Sequence, residues 1–406
     1  MVERAAQQKV EKKQKSGKDF ADGWKVAIVC DWLNNVGGAE KVLLRVHQLF
    51  PEAPIYTSKY DERDIDWFRG ADIRTGWMQK FPLWMRRFLG PLRQRYFSHL
   101  DLSEYDLIIS VTGAEAKAVK SGSKLAAEGK KSANPRGIHV SYCHVPTQYY
   151  WQMYDEYIRN PGFGVLNPLV RLVFRLVVGP LRRADLKAAQ IPDYYITISE
   201  YAKEQIHKYY GREAVVINPP VEIEDFRKQT ISDVRDYYIT TSRQVNWKRI
   251  DLAIKACMMT QRKLVVIGDG SEHKKLVKLA KGSGLVEFLP VMGKNELAKY
   301  LARAKGSLFP SLEPFGIAPV EALAAGCPVI AYGVGGAQDY IVDGKNGILF
   351  GEQTAKSLAE AILKFEKCKF NRERVAKSAL KFDEKRFDKE MKEFIRKCKN
   401  KNEKGL

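Results

Sequence analysis

Short runs of apolar and β-branched residues recur along the chain, separated by loops and by stretches in which apolar residues recur every three to four positions. The first run, residues 24–31, is followed by a glycine loop and by an amphipathic pattern over residues 41–49. A continuous apolar run of this length is typical of a parallel strand buried on both faces, and the pattern after it is typical of a helix. Strand, glycine loop and helix in this order open a Rossmann-like unit. Further strands are predicted over residues 106–111, 137–146, 194–199 and 215–221, then from Tyr237, and over residues 263–270, 287–290, 307–310 and 329–331.

Two domains of ordinary size are expected, since the chain has 406 residues and 45% of them are hydrophobic. The stiff Pro219-Pro220 dipeptide falls between the two sets of strands and predicts the hinge. The class is therefore α/β, with Rossmann-like domains over residues 24–220 and 221–381. A basic tail, disordered or loosely helical, is predicted for residues 1–23. Residues 382–406 are predicted to form a terminal helix that crosses back to the first domain, followed by a second basic tail.

The stretch of residues 310–331 predicts an anion-binding loop. Pro319 suits the first turn of a short helix, Gly326 suits its C-terminal cap, and Pro328 prevents its continuation. The first amides of that helix, near Gly316 and Ile317, then have no partner within the helix and lie at the positive end of its dipole. A phosphate is the kind of ligand that such a helix start binds.

Two carboxylates bracket this loop, Glu313 on its entry and Glu321 within the helix. A carboxylate accepts two hydrogen bonds from vicinal hydroxyls, as an acidic residue does for ribose in dinucleotide sites. A ligand with phosphate in the middle and hydroxyl-rich sugars at both ends fits this order of groups. The pattern therefore favours a nucleotide-sugar.

The same residues carry a resemblance to a known family. Glu313 is followed by Pro-Phe-Gly-Ile, and Glu321 by Ala-Leu-Ala-Ala-Gly-Cys-Pro-Val-Ile; Gly335-Gly336 and the segment Asp-Gly-Lys-Asn-Gly-Ile-Leu-Phe at residues 343–350 come after them. This pattern resembles the signature of the retaining glycosyltransferases of family 4. The resemblance covers residues 24 to about 395, and it is strong over residues 237–350. It implies the GT-B fold, two Rossmann-like domains facing a central cleft.

The resemblance also implies roles for particular residues. Arg243 and Lys248, spaced as the family's Arg and Lys are, would contact the donor diphosphate; Glu313 and His144, a strand-end histidine, would orient the sugar. From the residues alone, the two cations could equally be surface charge, His144 a core residue, and Gly37-Gly38 a plain tight turn. The implied catalytic residues are His144, Arg243, Lys248 and Glu313, and the implied donor-binding residues are Gly37, Gly38, Gly268, Phe315, Gly316, Ile317 and Glu321.

The function implied is retaining transfer of a sugar from a nucleotide-sugar to a glycan or lipid-linked acceptor. The overall pattern is most similar to bacterial mannosyltransferases of surface-polysaccharide assembly, so GDP-mannose is the expected donor. We expect no cofactor and no metal, and interpret the Asp64-x-Asp66 pair as a chance surface pair. The alternatives are a catalytically silent GT-B scaffold of a polysaccharide assembly complex and a basic nucleic-acid-binding protein. No nucleic-acid module is recognisable in the sequence, and the intact charged residues argue against silence.

The formal net charge of +20 predicts a polyanionic partner. Aromatic and basic residues interleave over residues 76–97, which predicts either a surface for anionic membrane lipids or a helical pair that covers the core of the first domain. The most apolar stretch, residues 165–178, is interrupted by Arg171 and Arg175, so no transmembrane segment is expected. The N-terminus shows no secretory signal, and the six cysteines are scattered, without a Cys-x-x-Cys motif. These features predict a cytoplasmic protein, peripheral at the inner face of the cell membrane.

Overall fold

The computed structural model describes residues 23–82, 85, 89–159, 164–228 and 236–404. These residues form two compact units, each around its own parallel sheet. The first unit contains the described residues up to Ile198, then Ala202–Ile217 and the chain from Asp388; the second contains Ser199–Tyr201 and Asn218–Phe387. The predicted basic tail over residues 1–23 lies, except for Gly23, outside the described residues.

The sheet of the first unit runs in the order β3-β2-β1-β4-β5-β6-β7, and all its neighbouring strands are parallel. Every residue of β1, β4 and β5 is buried, as their continuous apolar runs predict. The strands are β1 Val26–Cys30, β2 Ile55–Thr57, β3 Ile73–Arg74, β4 Leu107–Thr112, β5 Ile138–Cys143, β6 Tyr194–Thr197 and β7 Val215–Val216.

Amphipathic helices connect these strands. In the first of them, Val42, Leu43, Val46 and Leu49 recur at helical spacing and are buried. The helices up to β7 are α1 Gly38–Leu49, α2 Gly90–Ser98, α3 Gly122–Ala127, α4 Tyr154–Arg159, α5 Asn167–Ala188 and α6 Glu200–Tyr210. Within the Lys-, Ser- and Gly-rich stretch of residues 120–136, the residues Gly122–Ala127 form α3. Gly122 lies so close to the backbone of Asn134 that a Cβ at this glycine would be 1.8 Å from the Asn134 carbonyl oxygen.

The second sheet has the order β10-β9-β8-β11-β12-β13 and is also parallel throughout. Helices α8 and α13 pack their apolar residues into one cluster with β8, β9, β11 and β12. The strands are β8 Tyr238–Thr241, β9 Leu264–Ile267, β10 Val286–Leu289, β11 Gly306–Phe309, β12 Val329–Tyr332 and β13 Gly347–Phe350. The helices are α7 Ile223–Arg227, α8 Ile250–Thr260, α9 His273–Ala280, α10 Lys294–Arg303, α11 Ile317–Ala324, α12 Ala337–Tyr340, α13 Ala355–Glu366, α14 Arg372–Ser378 and α15 Glu384–Lys404.

The terminal helix α15 begins in the second unit, and its residues from Asp388 belong to the first. Within the first unit, the Asp388 carboxylate accepts two hydrogen bonds from the Arg45 guanidinium, at 2.6 and 2.5 Å. Nearer its C-terminus, the Asn402 amide donates to the Arg136 carbonyl at 2.8 Å. The segment from Asp388 is therefore fixed to the first unit by charged and polar contacts at both ends.

Part of the aromatic and basic segment over residues 76–97 forms core. Met78, Tyr96 and Phe97 are buried in one cluster with β1 and β4, because α2 packs against the sheet there. Arg93 is also buried and pairs with Glu115. The membrane surface predicted here is therefore wrong for Phe97 and Arg93, and in their place the helical cover of the core is observed. Trp84, Arg86, Arg87 and Phe88 lie outside the described residues, and Trp77 is 44% exposed.

At the amino edge of the second sheet, a charge cluster joins α13 to the strand starts. The Glu366 carboxylate accepts two hydrogen bonds from Arg262, both at 2.8 Å, and one from Lys305 at 2.7 Å. The Tyr238 hydroxyl donates to the same carboxylate at 3.2 Å. The Arg262 guanidinium, with help from Lys305, holds the pKa of Glu366 at about 2, below its ordinary 4.5.

A carboxyl whose pKa is depressed by folding stabilises the folded state above its unfolded pKa, and this contribution disappears as the pH falls through the folded pKa. We therefore expect Glu366→Gln to lower the free energy of unfolding by about 2 kcal/mol at pH 7, discounted for partial exposure of the pair. The difference from the parent should shrink between pH 4.5 and pH 2. Urea denaturation at several pH values measures it.

The matched control is Glu360→Gln on the exposed face of the same helix. It removes the same charge from α13 and should change stability by less than about 0.5 kcal/mol. Equal effects of the two substitutions, or an effect of Glu366→Gln that does not change with pH, would contradict the prediction.

Candidate functional site

The order of strands reverses between β1 and β4 in the first sheet, and between β8 and β11 in the second. Loops that leave neighbouring strands in opposite directions open a crevice at the carboxyl ends of a parallel sheet, and ligands bind there in open α/β folds. In the second unit, Arg243 follows β8 and Glu313 follows β11. Two of the predicted charged residues therefore come from the two strands that border the reversal.

Lys248 and Glu313 form an ion pair across this reversal, between the Lys248 Nζ and a Glu313 Oε1. The side chains are 16% and 19% exposed, so both are largely shielded yet reach the surface. The Ser311 hydroxyl donates to the same carboxylate oxygen at 2.9 Å. The structure thus brings together two of the four predicted catalytic residues, with Ser311 as a neighbour that the sequence analysis did not select.

Arg243 is exposed, and its side chain has no hydrogen bond or ion pair among the residues that the structure describes. Its neighbour Gln244 is fully buried and fixes the loop. The Gln244 amide donates to the Gly268 carbonyl at 2.6 Å, and its oxygen lies 2.7 Å from the His273 Nδ1. The Arg243 guanidinium therefore projects from a rigid backbone, which is the condition for holding a diphosphate in one place.

At Gly268, the loop after β9 packs directly against the loop that carries Arg243. Its φ is +135°, and a Cβ at this position would lie 2.1 Å from the Ser242 carbonyl oxygen. Any other residue would push the two loops apart. This close packing by itself accounts for a glycine at position 268, and the donor-binding role of Gly268 stays a prediction.

Helix α11 begins at Ile317, with Gly316 at its N-cap position, in the region where the sequence predicts the helix start. Gly316 has a φ of +90°, and the helix has no side-chain cap at this end. Its first amide, that of Ile317, therefore stays available to an anion. Phe315, predicted as donor-binding, has its ring buried against Tyr340 and Phe382, with ring centroids 5.6 Å away in both cases. Only the backbone of Phe315 is in a position to contact a ligand, because its side chain is part of the core.

The Tyr340 hydroxyl fixes this helix start by donating to the Phe315 carbonyl at 2.8 Å. Burial, and next the negative charge of Glu313, raise the pKa of Tyr340 well above its ordinary value. Gly336 donates its amide hydrogen to the Glu313 carbonyl at 2.8 Å. The loop bearing Glu313 is therefore held from the side of α12 as well as through its own ion pair.

Glu321 lies one helical turn after Ile317, on α11, and is 9% exposed. Residues four positions apart lie on the same face of a helix. The second carboxylate of the sequence motif is thus on the same face as the open amide of Ile317.

In the first unit, Asp31 organises the carboxyl edge of the sheet. Its carboxylate accepts hydrogen bonds from the Thr112 hydroxyl, at 2.8 and 2.9 Å, and from the amides of Gly113, Ala114 and Ala116, at 2.7 to 3.1 Å. The sequence analysis noted that the first strand ends at this residue but did not select it. The sequence signal that could have identified Asp31 is a single carboxylate at the end of a buried strand.

The predicted glycine pair follows the same strand. Gly37 precedes α1 with a φ of −160°, an extended conformation that any residue adopts, and Gly38 is the first residue of the helix. A Cβ at Gly37 would lie 2.8 Å from the Glu40 Oε2. The loop therefore has no left-handed glycine at this pair, and a Cβ at Gly37 would require only a shift of the flexible end of the Glu40 side chain.

His144 lies just beyond β5 at the carboxyl edge of the first sheet, beside the loop after β4. A Cβ built at Gly113 would be 3.9 Å from its ring. Its amide donates to the Thr112 carbonyl at 2.8 Å, whereas its Nε2 is buried without a hydrogen-bond partner in the described part of the chain. Burial lowers the pKa of His144 to about 4, so the ring is neutral near pH 7. His139 is buried within the sheet, and its Nε2 lies 2.8 Å from the Ser110 hydroxyl oxygen.

Two buried ion pairs beside this edge were missed by the sequence analysis. Lys117 pairs with Asp185 at 2.7 Å, and Arg93 pairs with Glu115 at 2.9 Å. The Asp185 carboxylate also accepts hydrogen bonds from Trp151 and Tyr210, at 2.7 and 2.8 Å. Charged residues that are far apart along the chain give no signal of such pairs in the sequence, because only the tertiary structure brings them together.

Asp64 and Asp66 are exposed in the loop between β2 and β3. The described residues contain no group of three or more His, Cys, Asp or Glu side chains arranged to hold a metal ion. They also contain no helix that is long and apolar enough to cross a membrane.

Residues 221–382 match the model of the family described as glycosyl transferases group 1. An uncharacterised glycosyltransferase of Methanocaldococcus jannaschii is 30% identical over 176 residues, which are 42% of this chain and 49% of that protein. The D-inositol 3-phosphate glycosyltransferase of a Nocardioides species is 35% identical over 124 residues, 28% of this chain and 27% of that protein. The chain thus spans about half the length, or less, of these two curated relatives.

Two solved structures resemble almost the whole chain. HepE of Anabaena, in complex with UDP and glucose, has a TM-score of 0.64 at 19% identity and covers 92% of this chain and 99% of its own. The lipopolysaccharide outer core galactosyltransferase WaaB has a TM-score of 0.64 at 17% identity and covers 90% and 97%. At these identities the likeness shows the fold alone, and it confirms the predicted class. The chain has the α/β GT-B fold, with two parallel Rossmann-like sheets, and its residues 221–382 match the glycosyl transferases group 1 family.

Proposed function

We propose that this protein is a glycosyltransferase that transfers a sugar from a nucleotide-sugar to a glycan or lipid-linked acceptor. The observation that carries the proposal is the Lys248–Glu313 ion pair at the strand-order reversal of the second sheet. It stands in the unit that matches the glycosyl transferases group 1 family. The exposed Arg243 and the uncapped start of α11 belong to the same edge of that sheet.

The chemistry follows from the charges. In a sugar transfer from a nucleotide-sugar, the bond from the anomeric carbon to the diphosphate oxygen breaks, and the diphosphate takes the electron pair. Arg243, Lys248 and the Ile317 amide stabilise the negative charge that develops on that oxygen. Such fixed donors are the largest single contribution in reactions of this kind.

Glu313 holds the ammonium of Lys248 in place and, through its second oxygen, is available to accept hydrogen bonds from hydroxyls of the sugar. Glu321, which is on the same helix face as the phosphate-binding amide, is assigned the ribose hydroxyls. His144 of the first unit is assigned a hydroxyl of the transferred sugar, and its neutral ring can donate one hydrogen bond and accept another.

The finer parts of the proposal rest on the sequence resemblance. We propose that the acceptor attacks on the same face of the sugar that the diphosphate leaves, so that the anomeric configuration is retained. We further propose that GDP-mannose is the donor and that the reaction requires no metal. The enzyme would act as a peripheral protein at the inner face of the cell membrane. The known relatives indicate the competing donors, since HepE was solved with UDP-glucose and other relatives are named as UDP-N-acetylglucosamine transferases. The competing class is a GT-B scaffold without catalysis.

One panel tests both the donor and the class. A ligand that binds only the folded state raises the melting temperature. We expect GDP and GDP-mannose to raise it more than UDP, ADP and their sugars, and slow hydrolysis of GDP-mannose in the absence of an acceptor. EDTA should leave both results unchanged. A larger rise in melting temperature with UDP-sugars would show that the donor is a UDP-sugar and not GDP-mannose. If no ligand raises the melting temperature and no donor is hydrolysed, the result would favour the scaffold without catalysis.

We expect Arg243→Ala and Lys248→Ala each to lower kcat by about two orders of magnitude, because each removes a positive charge from the departing diphosphate. Folding should be retained, since neither side chain belongs to an apolar core. Donor hydrolysis or transfer, measured beside the melting temperature, is the readout.

Lys255→Ala is the matched control for the lysine. Lys255 is on α8, is 47% exposed and pairs with Asp251 at 3.4 Å. Its loss should leave kcat within about twofold of the parent, because a screened surface pair contributes little. Near-parental turnover in Arg243→Ala or Lys248→Ala would remove that residue from the site.

The lowered pKa of His144 predicts the pH profile. With a pKa of about 4, the ring is neutral from pH 8 down to pH 5, so kcat/KM should show no titration near the ordinary histidine value of 6.5. His144→Asn should lower kcat without changing the shape of the profile in this range. A transition near pH 6.5 that disappears in His144→Asn would show that the ring is charged in the free enzyme, contrary to its burial.

A further inference from the structure

Helix α5 is apolar on two sides in its N-terminal half, but only one side is covered by the first unit. On the covered side, the Phe174 ring packs on Tyr154 with centroids 5.6 Å apart, and Val178 is buried. Arg171 donates to the backbone carbonyls of Ile158 and Arg159, at 2.9 and 2.7 Å. These contacts connect the helix to α4 and to the body of the unit.

The other side consists of large apolar residues that are exposed. At 100° per residue, these side chains occupy a stripe about 140° wide, which is the width of a face that normally packs on a core. Leu176 is 71% exposed and Leu169 is 59% exposed. We call this stripe the outer α5 face, and its residues are Leu169, Leu172, Val173, Leu176 and Val177, together with Leu166 at the N-cap position just before the helix.

A contiguous apolar stripe of this kind marks an interaction surface, because monomeric proteins rarely expose large contiguous apolar patches to water. Single exposed leucines are common in proteins and carry no such meaning. Here six apolar residues lie together within twelve positions, and the same helix is anchored further on by the buried Asp185 and Ala188. The stripe therefore belongs to a fixed helix, and it requires a partner to cover it.

The charges on α5 decide between the possible partners. The helix contains five cationic residues, Arg171, Arg175, Arg182, Arg183 and Lys187, and one carboxylate, Asp185. Asp185 is buried and paired with Lys117, so it does not offset them at the surface. Arg175, Arg183 and Lys187 are exposed, and among the described residues none of them has a carboxylate partner. Arg183 and Lys187 continue the same side of the helix beyond the apolar stripe.

We propose that the outer α5 face is a docking surface for an anionic lipid bilayer. An apolar stripe beside a row of cations is the composition of helices that lie in the membrane interface, with leucines among the acyl chains and arginines at the headgroups. A second copy of this chain would bring the same cations against themselves, in a protein that already has a net charge of +20. The negative surface of a bilayer has the complementary charge.

This surface differs from the one that the sequence predicted over residues 76–97, where Phe97 and Arg93 are buried. It also differs in kind from a transmembrane segment, because Arg171 and Arg175 interrupt the apolar residues. The inference does not depend on the proposed sugar transfer, since it follows from exposure and charge on a helix of the first unit.

The experiment is co-sedimentation of the full chain with vesicles of phosphatidylcholine alone and with 30% phosphatidylglycerol, a composition of about one anionic lipid in three. The test variant carries Leu169→Gln, Leu172→Gln and Leu176→Gln, all at exposed positions, so folding should be retained. We expect it to lower partitioning onto anionic vesicles by about tenfold or more. A second variant, Arg175→Gln with Arg183→Gln, should lower partitioning onto anionic vesicles only, and raised salt should have the same effect.

Two matched controls remove the same kinds of group elsewhere. Met259→Gln, Val291→Gln and Leu363→Gln replace exposed apolar residues of the second unit, and Lys274→Gln with Lys278→Gln removes exposed cations of α9. Neither control should change partitioning by more than about twofold. Partitioning of the triple leucine variant equal to that of the parent would overturn the proposal.

Two parallel measurements separate the other outcomes. A concentration-dependent dimer of the parent that the leucine variant abolishes, without vesicle binding by either, would show that a second copy covers the outer α5 face and would also overturn the proposal. Nucleotide-sugar hydrolysis should be the same in parent and leucine variant. If the parent binds vesicles through this face but hydrolyses no donor, the docking surface stands and the proposed sugar transfer fails.

Discussion

The constraint on which the structure depends is that buried parallel strands all present their carboxyl ends at one edge of a sheet. A parallel pair cannot be joined by a tight turn, so each connection crosses the sheet through a helix and returns to the same side. In both units the strand order reverses once, and the loops on either side of the reversal diverge. This is why Lys248 and Glu313 meet although 65 residues separate them along the chain.

The two units fix their functional edges by different means. In the second unit, close backbone packing fixes the loops at this edge, since Gly268 and Gly316 occupy conformations that other residues rarely adopt. In the first unit, buried charged groups fix the loops at this edge. Asp31 collects backbone amides of the loop after β4, and Lys117 and Asp185 compensate each other away from water. Breaking such a pair leaves an uncompensated buried charge, so the surrounding loops are restricted to one arrangement.

Helix α5, in contrast, is held by contacts in only one of its halves. Its C-terminal half is held by Asp185 and Ala188, whereas its N-terminal half presents leucines to solvent. The first unit does not need those leucines for its core, because α5 packs on the unit through Phe174 and Val178 on its covered side. Apolar residues that do not contribute to the core are the part of a sequence most directly explained by a partner, here the proposed anionic bilayer.

The sequence by itself determined the parallel strands, the α/β class and the helix start at Gly316, because these depend on local features: continuous apolar runs, periodicity, and glycine and proline at helix ends. The resemblance to the glycosyltransferase family also pointed to Lys248 and Glu313, which the structure joins in an ion pair. Only the tertiary structure decided the rest. The burial of Phe315, Phe97 and Arg93, and the exposure of the leucines of α5, depend on which helix side meets the sheet. Periodicity marks an apolar face but does not tell whether that face packs on the protein's own core or on something else, since both burials remove the same apolar area from water.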